Sequence, residues 1–413
     1  MNLPQKKVCI TTLGCDKNRA DSEVLAGYLQ RAGCQIVADD NDADIIVVNT
    51  CGFINSARKE SINCITEKLT HKTHAQLVVC GCIVPNNREE LIAGLPEVDV
   101  WWDTKNYHDL AKLLTGKEIV NGNKLLSTPT SYVYIKIADG CNRNCAFCKI
   151  PSIRGKYVSR PIDEIIAEVE HFAKIGVPEF ILVAQDVTMY GVDLGSSLVK
   201  LLQAITTVDG VKRVRLHYCY PELLTDQLLQ EIANNDCVVK YLDIPFQHCN
   251  ERILKLMGRR GNAEKYRTLV EKIRRVVPGV TIRATMMVGF PTETDEEFNE
   301  LVQFLETVQL DYVGFFAYSR EAGTASYAMP QVKASVKKER LRIVEKVQSK
   351  ILNIKHKNQK GQVVHVVCDA VVNGVARCRT AGQSPEVDPC IYIDQTVQGE
   401  PFVVGQEYDI TLE

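Results

Sequence analysis

The sequence predicts an α/β protein in three parts: an open α/β sheet, a partial (β/α)6 barrel of the TIM type and a small all-β barrel. The first two predictions follow from short, β-branched runs that alternate with amphipathic stretches, which are longer in the middle of the chain. The third follows from short strand-like runs separated by Gly and Pro near the end. We place the three parts at 1–125, 127–357 and 358–413.

The first part contains three apolar runs, at 7–13, 45–50 and 77–81, with helix-like stretches at 21–31 and 54–68 between them. Runs this short and rich in β-branched residues are typical of buried parallel strands. Ligands of open α/β sheets bind beyond the carboxyl ends of the strands. Residues that directly follow the three runs are therefore candidate site residues.

The second part repeats the pattern with longer helices. Parallel strands with helical connections form a partial barrel, whose active site belongs to the loops after the strands. Six strands are predicted, at 132–138, 180–185, 214–218, 241–245, 281–288 and 312–319.

A basic amphipathic helix is predicted at 332–359, where nine Lys and Arg accompany only two Asp and Glu. Its apolar residues recur three, four or seven positions apart, so we expect one face to pack on the barrel. That face comprises Val336, Ile343, Val347, Ile351 and Ile354. The last part then has strand-like runs at 363–367, 391–393, 402–404 and 408–412, as in a small β-barrel.

Three cysteines lie close together in the loop after the first predicted barrel strand. Cys141, Cys145 and Cys148, the barrel triplet, have CxxxCxxC spacing, and soft thiolates favour iron–sulfur clusters, zinc or Cu(I). A zinc knuckle is the alternative, but structural zinc sites take four ligands and no fourth Cys or His follows at ribbon spacing. Three thiolates on a 4Fe–4S cluster leave one iron open to a substrate or cofactor, which indicates catalysis.

Charge and cysteine content exclude several classes of protein. The 413 residues carry a net charge of −2 and are 45% apolar, which gives no sign of a nucleic-acid coat. No run approaches the roughly 20 apolar residues of a membrane span, and the first residues lack a signal-peptide core. We expect a cytoplasmic protein in which sixteen cysteines serve metal binding or catalysis rather than disulfides.

A second group of cysteines follows the three strands of the first part. Cys15, Cys51 and Cys82, the strand-end triplet, each flank a glycine directly after a predicted strand. Carboxyl ends of parallel strands meet at one edge of a sheet, so these residues can converge although they are far apart in sequence. A second three-cysteine cluster with an open iron is therefore predicted there.

Over nearly its whole length the chain resembles the methylthiotransferases, radical S-adenosylmethionine (SAM) enzymes with an N-terminal cluster domain and a C-terminal TRAM domain. The barrel triplet resembles the radical SAM signature, and within the family the chain is most similar to the RimO branch. The motifs behind this resemblance are Leu-Gly-Cys-Asp-Lys-Asn at 13–18, Asn-Thr-Cys-Gly-Phe-Ile at 49–54, Val-Ala-Gln-Asp at 183–186, Asp-Ile-Pro-Phe-Gln-His at 243–248 and Val-Gly-Phe-Pro-Thr-Glu-Thr at 288–294.

The resemblance implies an enzyme that inserts a methylthio group on the β-carbon of an aspartate in small-subunit ribosomal protein S-twelve. It implies two 4Fe–4S clusters and SAM as cofactors. The barrel triplet would then hold the SAM-cleaving cluster, and the strand-end triplet the cluster that carries the sulfur. An electron donor and a sulfur donor are also implied, but the sequence identifies neither.

Three polar residues on barrel strands are candidates for SAM contacts. Gln185 and Asp186 end the second strand and Arg283 lies in the fifth. A guanidinium suits the SAM carboxylate, and amide and carboxylate oxygens suit its ribose hydroxyls. Buried ion pairs within the barrel explain the same residues equally well. His248, after the fourth strand, is interpreted as a hydrogen-bonded structural histidine.

The other cysteines are interpreted mainly as small apolar packing residues. Cys249 is expected to be partly exposed, and the role of Cys80, beside Cys82, stays open. The packing set is Cys9, Cys34, Cys64, Cys219, Cys237, Cys368, Cys378 and Cys390.

The main alternative is a MiaB-like enzyme that modifies an adenosine of tRNA. From 358 to 413 there are three Lys and Arg against eight Asp and Glu, a balance of −5. RNA binding relies on cations, so this balance favours docking of a basic protein, with Glu386, Asp388 and Glu400 as candidate exposed acids. The helix at 332–359, at +7, leaves a secondary RNA contact open. A non-enzymatic iron–sulfur electron carrier would leave the barrel unexplained.

Overall fold

A five-stranded parallel sheet begins the computed structural model, which describes residues 5–71, 74–119, 123–394 and 401–412. Its elements are β1 Lys7–Thr12, α1 Asp16–Arg31, β2 Gln35–Val37, β3 Ile45–Thr50, α2 Asn55–His71, β4 Gln76–Gly81, α3 Arg88–Gly94, β5 Val100–Trp101 and α4 Tyr107–Thr115. The strand order is β2-β1-β3-β4-β5, and β3 is buried along its whole length because apolar cores cover both faces of the sheet. The three predicted strands and both predicted helices are confirmed.

A six-stranded parallel sheet, ordered β13-β12-β11-β10-β9-β6, forms the partial barrel and confirms the six predicted strands. One large apolar core joins this sheet to its helices. The strands are β6 Val133–Lys136, β9 Glu179–Val183, β10 Arg213–Leu216, β11 Val238–Gln247, β12 Thr281–Val288 and β13 Tyr312–Ala317, and a small hairpin pairs β7 Ala138–Asp139 with β8 Val158–Ser159. The helices are α5 Ile150–Arg154, α6 Ile162–Lys174, α7 Leu198–Thr206, α8 Asp226–Asn234, α9 Glu251–Leu256, α10 Ala263–Val276 and α11 Asp295–Val308.

Side-chain caps fix where several barrel helices begin. Thr294 and Glu297 form a reciprocal capping box at the start of α11. Asn250, Asn262 and Thr225 cap α9, α10 and α8 in the same way, each accepting a hydrogen bond from a backbone N–H of the first turn. These caps fix the residue at which each of the four helices begins.

The long helix α12, Ala334–Gln359, lies against β13 and α11. Its buried residues are Arg340, Val344, Gln348 and Ile351, so the predicted apolar face is only partly right, and Ile354 is exposed. Two residues of the packed face are polar, Arg340 and Gln348, and they can be buried because groups of the barrel accept their hydrogen bonds. The guanidinium of Arg340 donates to Glu293, and the amide of Gln348 donates to the Leu310 carbonyl at 3.3 Å.

A four-stranded antiparallel sheet, ordered β16-β15-β14-β17, ends the described chain. Its strands are β14 Val363–Val372, β15 Val375–Thr380, β16 Ile391–Asp394 and β17 Glu407–Thr411. The predicted strand at 402–404 is wrong, because Phe402 packs on the Tyr408 ring and the next backbone N–H donates to the Tyr408 hydroxyl instead of to a neighbouring strand.

Sequence reasoning missed β15 although its signal is present. Asn373 and Gly374 join β14 to β15 with positive φ angles of 50° and 79°. An Asn-Gly pair in this conformation is the usual two-residue turn of a β-hairpin. Within the described ranges, no helix combines the length and apolar composition that a membrane crossing requires.

Candidate active site

The barrel triplet lies in one loop between β7 and α5. Gly140 opens the loop with a left-handed backbone (φ +76°), and a Cβ there would lie 2.1 Å from a carbonyl oxygen across the hairpin, so only glycine fits. The backbone N–H groups of Arg143 and Ile150 donate to the Sγ atoms of Cys141 and Cys148, each at 3.4 Å. Hydrogen bonds to ligand sulfurs are one way in which proteins set the potential of an iron–sulfur cluster.

The same loop is braced from two sides. The backbone N–H of Ala146 donates to the Met257 carbonyl at 2.9 Å, and its carbonyl accepts from the Ser326 N–H at 2.8 Å. The Phe147 ring packs edge-on against Phe290, in the loop after β12, with ring centroids 6.4 Å apart. The aromatic residue of the cysteine motif therefore anchors the loop to the barrel.

The strand-end triplet converges at one edge of the N-terminal sheet. Cys15, Cys51 and Cys82 directly follow or closely follow the neighbouring strands β1, β3 and β4. Gly14 has a left-handed backbone (φ +93°), and a Cβ there would lie 3.1 Å from the Cys51 Sγ. Burial raises the pKa of the Cys82 thiol to about 12, Arg154 opposes that rise, and Cys15 and Cys51 are near enough to add to it.

Cys80 and Cys82 lie in different surroundings. Cys80 is fully buried in the apolar core on one face of the sheet, which also contains Val8 and Leu110. The Cys82 thiol instead lies 3.4 Å from the Asn18 Oδ1, at the edge of the sheet where the strand-end cysteines converge. We call this edge the cysteine edge. The structure therefore groups Cys82, and not Cys80, with the other two strand-end cysteines.

Arg154, the last residue of α5, connects the two triplets. Its Nη2 lies 3.5 Å from the Cys82 Sγ, while its Nη1 donates to Asp21 at 3.0 Å and to Asp139 at 3.2 Å. Asp139 stands two residues before Cys141. Burial would raise the pKa of Asp139, but Lys136 and Arg154 lower it more, so the carboxylate is ionised. One buried guanidinium thus contacts a strand-end thiol and the base of the barrel-triplet loop.

Further contacts place the cysteine edge of the first sheet opposite the carboxyl ends of the barrel strands. Asp16, next to Cys15, accepts a hydrogen bond from the Tyr218 hydroxyl at 3.2 Å, directly after β10. At the start of α2, the backbone N–H of Asn55 donates to Glu321, which follows β13, at 2.7 Å. The two triplets therefore lie on the same side of the barrel, where its strands end.

Neither triplet is arranged around a single metal ion. Thiolates of a zinc site lie about 2.3 Å from the metal, which forces the sulfurs close together. In the part of the chain that the structure describes, no three His, Cys, Asp or Glu side chains are placed in that way. A cubane of four irons is larger than one ion and needs wider spacing of its three thiolates.

Of the candidate SAM contacts, Gln185 and Asp186 adjoin the barrel-triplet loop. Asp186 is buried and accepts from Arg143 at 2.9 and 3.1 Å. Gln185 donates to Asp139 at 3.3 Å, and its buried Oε1 has no protein partner. Arg283 is paired with Asp243 at 3.0 Å. Asp186 and Arg283 therefore form the buried ion pairs that were the alternative explanation, and SAM contact stays a prediction.

Sequence reasoning missed a second buried arginine beside the barrel triplet. Arg259 has its Nη1 3.9 Å from the Cys145 Sγ and donates through Nη2 to the Pro245 carbonyl at 2.6 Å. Its guanidinium and that of Arg143 lie over the Tyr220 ring, 4.4 and 3.3 Å from the ring centroid. Arg143 lies within the cysteine motif and could have been found, whereas Arg259 is more than a hundred residues away and had no local signal.

His248 has the burial and the hydrogen bond expected of a structural histidine. It is fully buried, its Nδ1 accepts from the Asn250 backbone N–H at 2.9 Å, and burial lowers its pKa to about 4. The imidazole is therefore neutral. Cys249 is also fully buried, so the expectation of partial exposure is wrong, because the residue belongs to the barrel core.

The loop between β15 and β16 reaches the barrel and corrects part of the predicted acidic surface. The Ser384 hydroxyl lies 2.7 Å from the Nε2 of His217, whose Nδ1 lies 3.1 Å from Asp16. Asp388 is buried and accepts from the Tyr241 hydroxyl at 2.7 Å, while Glu386 pairs with Arg19 at 3.2 Å. Asp388 therefore joins the parts of the chain rather than facing solvent, so its predicted exposure is wrong. Glu386 is exposed, as predicted, although it also pairs with Arg19, and Glu400 lies outside the described residues.

Comparison with known proteins decides the family. A profile of the Radical SAM superfamily matches residues 135–305, and one described as Uncharacterized protein family UPF0004 matches residues 7–103. A ribosomal protein uS12 methylthiotransferase RimO from Thermoanaerobacter sp. is 40% identical, with 99% of this chain and all of that protein covered. The RimO of Acetivibrio thermocellus is 39% identical over 99% of this chain and 96% of that protein.

The chain belongs to the RimO methylthiotransferase family. As a member it is an enzyme that transfers methylthio groups, with SAM and two 4Fe–4S clusters as cofactors. Solved structures agree on the fold: the radical SAM methyltransferase TsrM from Kitasatospora setae superposes with a TM-score of 0.57 at 16% identity, covering 78% of this chain and 77% of that one. The cobalamin-dependent enzyme OxsB superposes with a TM-score of 0.53 at 11% identity, covering 84% and 56%.

The residues present in this chain fit the family's cofactors. Six thiols form two groups of three, as two clusters that each keep an open iron require. Beside the barrel triplet, the Gln185 Oε1 and the Arg259 Nε are buried without protein partners. Buried polar atoms are rarely left unpaired, so these two can bind polar groups of a bound cofactor.

Proposed function

We propose that this chain inserts a methylthio group on the β-carbon of an aspartate of ribosomal protein uS12, the protein named in its curated relatives. The observation that carries the proposal is the pair of thiol triplets on the same side of the barrel, connected by Arg154, which contacts Cys82 and the base of the barrel-triplet loop. A reaction that must deliver sulfur from one centre to a carbon activated at another needs two centres in this arrangement.

We assign the clusters by the surroundings of each triplet. Cys141, Cys145 and Cys148 hold the SAM-cleaving cluster, because they occupy the loop after the first barrel strand, where barrel enzymes have their active sites. The remaining three-cysteine group, at the edge of the first sheet, holds the cluster that carries the sulfur. The domains proposed for these roles are 1–125, 127–357 and 358–413, the last a TRAM domain, and the enzyme is proposed to act in the cytoplasm.

When bound, the barrel cluster and SAM supply the radical chemistry that breaks an unactivated C–H bond, which side-chain acids and bases cannot do. The chain contributes binding and orientation. Gln185 offers a free amide oxygen toward the loop of the barrel triplet, and Asp186 fixes Arg143 within that loop. Arg283 is proposed as a further SAM contact, which would require its pair with Asp243 to open. An electron donor and a sulfur donor complete the reaction.

Hydrogen bonds between the three parts of the chain hold the edge of the first sheet that carries the strand-end triplet. Asp16 is bonded to His217, and His217 in turn to Ser384, so all three parts of the chain meet beside Cys15. Burial would raise the pKa of Asp16, but Lys17 and His217 lower it more, which keeps the carboxylate ionised and its hydrogen bonds strong. A fixed distance between the two triplets is the expected result.

Mass spectrometry of uS12 from a strain that lacks this gene tests the proposal. We expect the modified aspartyl peptide to lose about 46 Da, the mass of CH₂S, and to regain it when the chain is supplied again. A version with Cys15, Cys51 and Cys82 changed to Ala should not restore it, whereas Cys80→Ala should. Methylthioadenosine that disappears from tRNA, with uS12 unchanged, would assign the chain to the tRNA-modifying alternative.

A further inference from the structure

The helix α12 exposes a row of cations that the barrel does not use. Lys338, Arg342, Lys346 and Lys350 are four residues apart and all exposed. Residues at this spacing lie on one side of a helix, so the row extends over about 18 Å at 1.5 Å per residue. Lys357 continues it by two further turns. We call these five residues the basic face.

The cations that do serve the fold lie on another side of the helix. Lys337 donates to the Tyr318 carbonyl at 3.0 Å, Arg340 donates to Glu293, and Lys355 donates to the Gln309 carbonyl at 2.9 Å. Within the basic face, only Arg342 has an acidic partner among the described residues, Glu339 at 2.6 Å. Like charges four apart on a helix destabilise it, and among the described residues only the Arg342–Glu339 pair offsets that cost.

The charge is concentrated on this helix and not general to the protein. The range 332–359 carries +7, whereas the whole chain carries −2, so everything outside the helix carries −9. A positive row on an acidic background attracts polyanions to one place and leaves the rest of the surface repulsive to them.

We propose that the basic face binds the phosphate backbone of RNA, and that the enzyme therefore meets its ribosomal-protein substrate while that protein is bound to ribosomal RNA. This inference rests on the proposed function. Sequence-independent RNA contacts need cations and no apolar centre, which matches the row. A protein partner would be expected to bury several aromatic or apolar residues at the centre of the interface, whereas the row offers one exposed apolar residue, Ile354, at its end.

The packing of α12 argues against a membrane surface, and the direction of the helix places bound RNA near the active site. Interfacial helices insert their apolar face into lipid, but the apolar side of α12 is packed on the barrel. The helix begins beside Tyr318 and Glu293, at the carboxyl ends of β13 and β12, and runs down to Gln309 and Asp311 at the opposite end. RNA along the row would thus approach the end of the barrel that carries the barrel triplet.

Fluorescence anisotropy with a short labelled duplex RNA of arbitrary sequence tests the inference on the full-length protein. A variant with Lys338→Gln, Arg342→Gln, Lys346→Gln and Lys350→Gln should bind at least tenfold more weakly at low salt. Its slope of log affinity against log salt should be smaller by about three, since each lost phosphate contact removes roughly 0.7–0.9. The matched control changes four exposed lysines elsewhere to Gln, namely Lys59, Lys174, Lys200 and Lys265, and should keep both values.

Modification assays separate this inference from the proposed function. The basic-face variant should modify free uS12 like the wild type but modify uS12 on small-subunit particles more slowly. Equal RNA affinity of the two Gln variants, or no RNA binding by the wild type, would overturn the inference. Tighter binding of polyglutamate or of anionic vesicles than of RNA would replace RNA by an acidic protein or a lipid surface. Loss of modification of both uS12 forms by the basic-face variant, with the control active, would overturn the inference, because it would place these residues in catalysis and not in contact with ribosomal RNA.

Discussion

The two cysteine triplets reach similar arrangements by different routes. The barrel triplet occupies eight consecutive positions in one loop, whereas the strand-end triplet is drawn from three strands separated by up to 67 positions. A loop motif needs only its own backbone and its braces, but three strand ends meet only if the whole sheet forms in the right order. The first site is therefore encoded locally and the second by topology.

The buried arginines beside the two triplets differ in their charge partners. Arg154, beside Cys82, is paired with Asp21 and Asp139, and Lys136 joins both carboxylates. Arg259, beside Cys145, has no carboxylate partner within the described residues. The strand-end site thus holds a neutralised buried network that links two sheets, and the barrel site holds a buried, uncompensated cation. The arginine of the strand-end site therefore holds two sheets together, whereas the arginine of the barrel site supplies positive charge.

Removing one triplet at a time should give the largest effects. The reconstituted protein should contain about eight irons per chain, and about four after either triplet is changed to Ala. Loss of the barrel triplet should abolish SAM cleavage and product, whereas loss of the strand-end triplet should abolish product and leave 5′-deoxyadenosine formation measurable. Iron and sulfide analysis with product assays would check this. Cys80→Ala and Cys249→Ala, both buried outside the triplets, serve as controls that keep all the iron.

Both triplets could be predicted from the sequence, but each from a different kind of signal. The CxxxCxxC spacing is visible as a motif, and the strand-end cysteines could be grouped only because β1, β3 and β4 were recognisable as buried parallel strands. The roles of Arg154 and Arg259 could not be predicted, because each depends on how distant elements pack. Counting charges along the sequence also gave a wrong expectation, that Asp388 is exposed. The residue lies in an acidic stretch of the sequence, but the fold buries it against Tyr241 and Arg283.

Arg154→Met tests whether the strand-end site depends on its charge network. The change leaves Lys136 as the cation shared by Asp21 and Asp139, so the loss should be smaller than the roughly 3–5 kcal/mol of unfolding free energy that breaking a buried pair completely costs. Denaturant unfolding of the apoprotein should report that loss. Arg154→Lys should recover only part of it, since an ammonium cannot contact both carboxylates and Cys82 with the same fork geometry. Unchanged stability in both variants would mean that the two sheets are held by other contacts.

Ser384→Ala should have a smaller effect, on the strand-end site alone. The change removes the partner of the His217 Nε2, and an unsatisfied buried group costs about 1–3 kcal/mol. Because His217 also holds Asp16 beside Cys15, the electron paramagnetic resonance signal of the strand-end cluster should change while that of the barrel cluster does not. Ser384→Thr keeps the hydroxyl and is the matched control. A change in both signals would indicate general loosening of the barrel instead.

Arg259→Met should affect the potential of the barrel cluster more than the stability of the fold. No carboxylate is left unpaired, so the loss is mainly the hydrogen bond to the Pro245 carbonyl, about 1 kcal/mol. A positive charge near a cluster stabilises the added electron, so its removal should shift the reduction potential to more negative values, and Arg259→Lys should shift it less. Redox titration followed by electron paramagnetic resonance measures both clusters in one sample, with the strand-end cluster as internal reference. An unchanged potential with weaker SAM binding would instead assign Arg259 to the SAM carboxylate, and the contrast between the two arginines would then be one of ligand binding rather than of redox tuning.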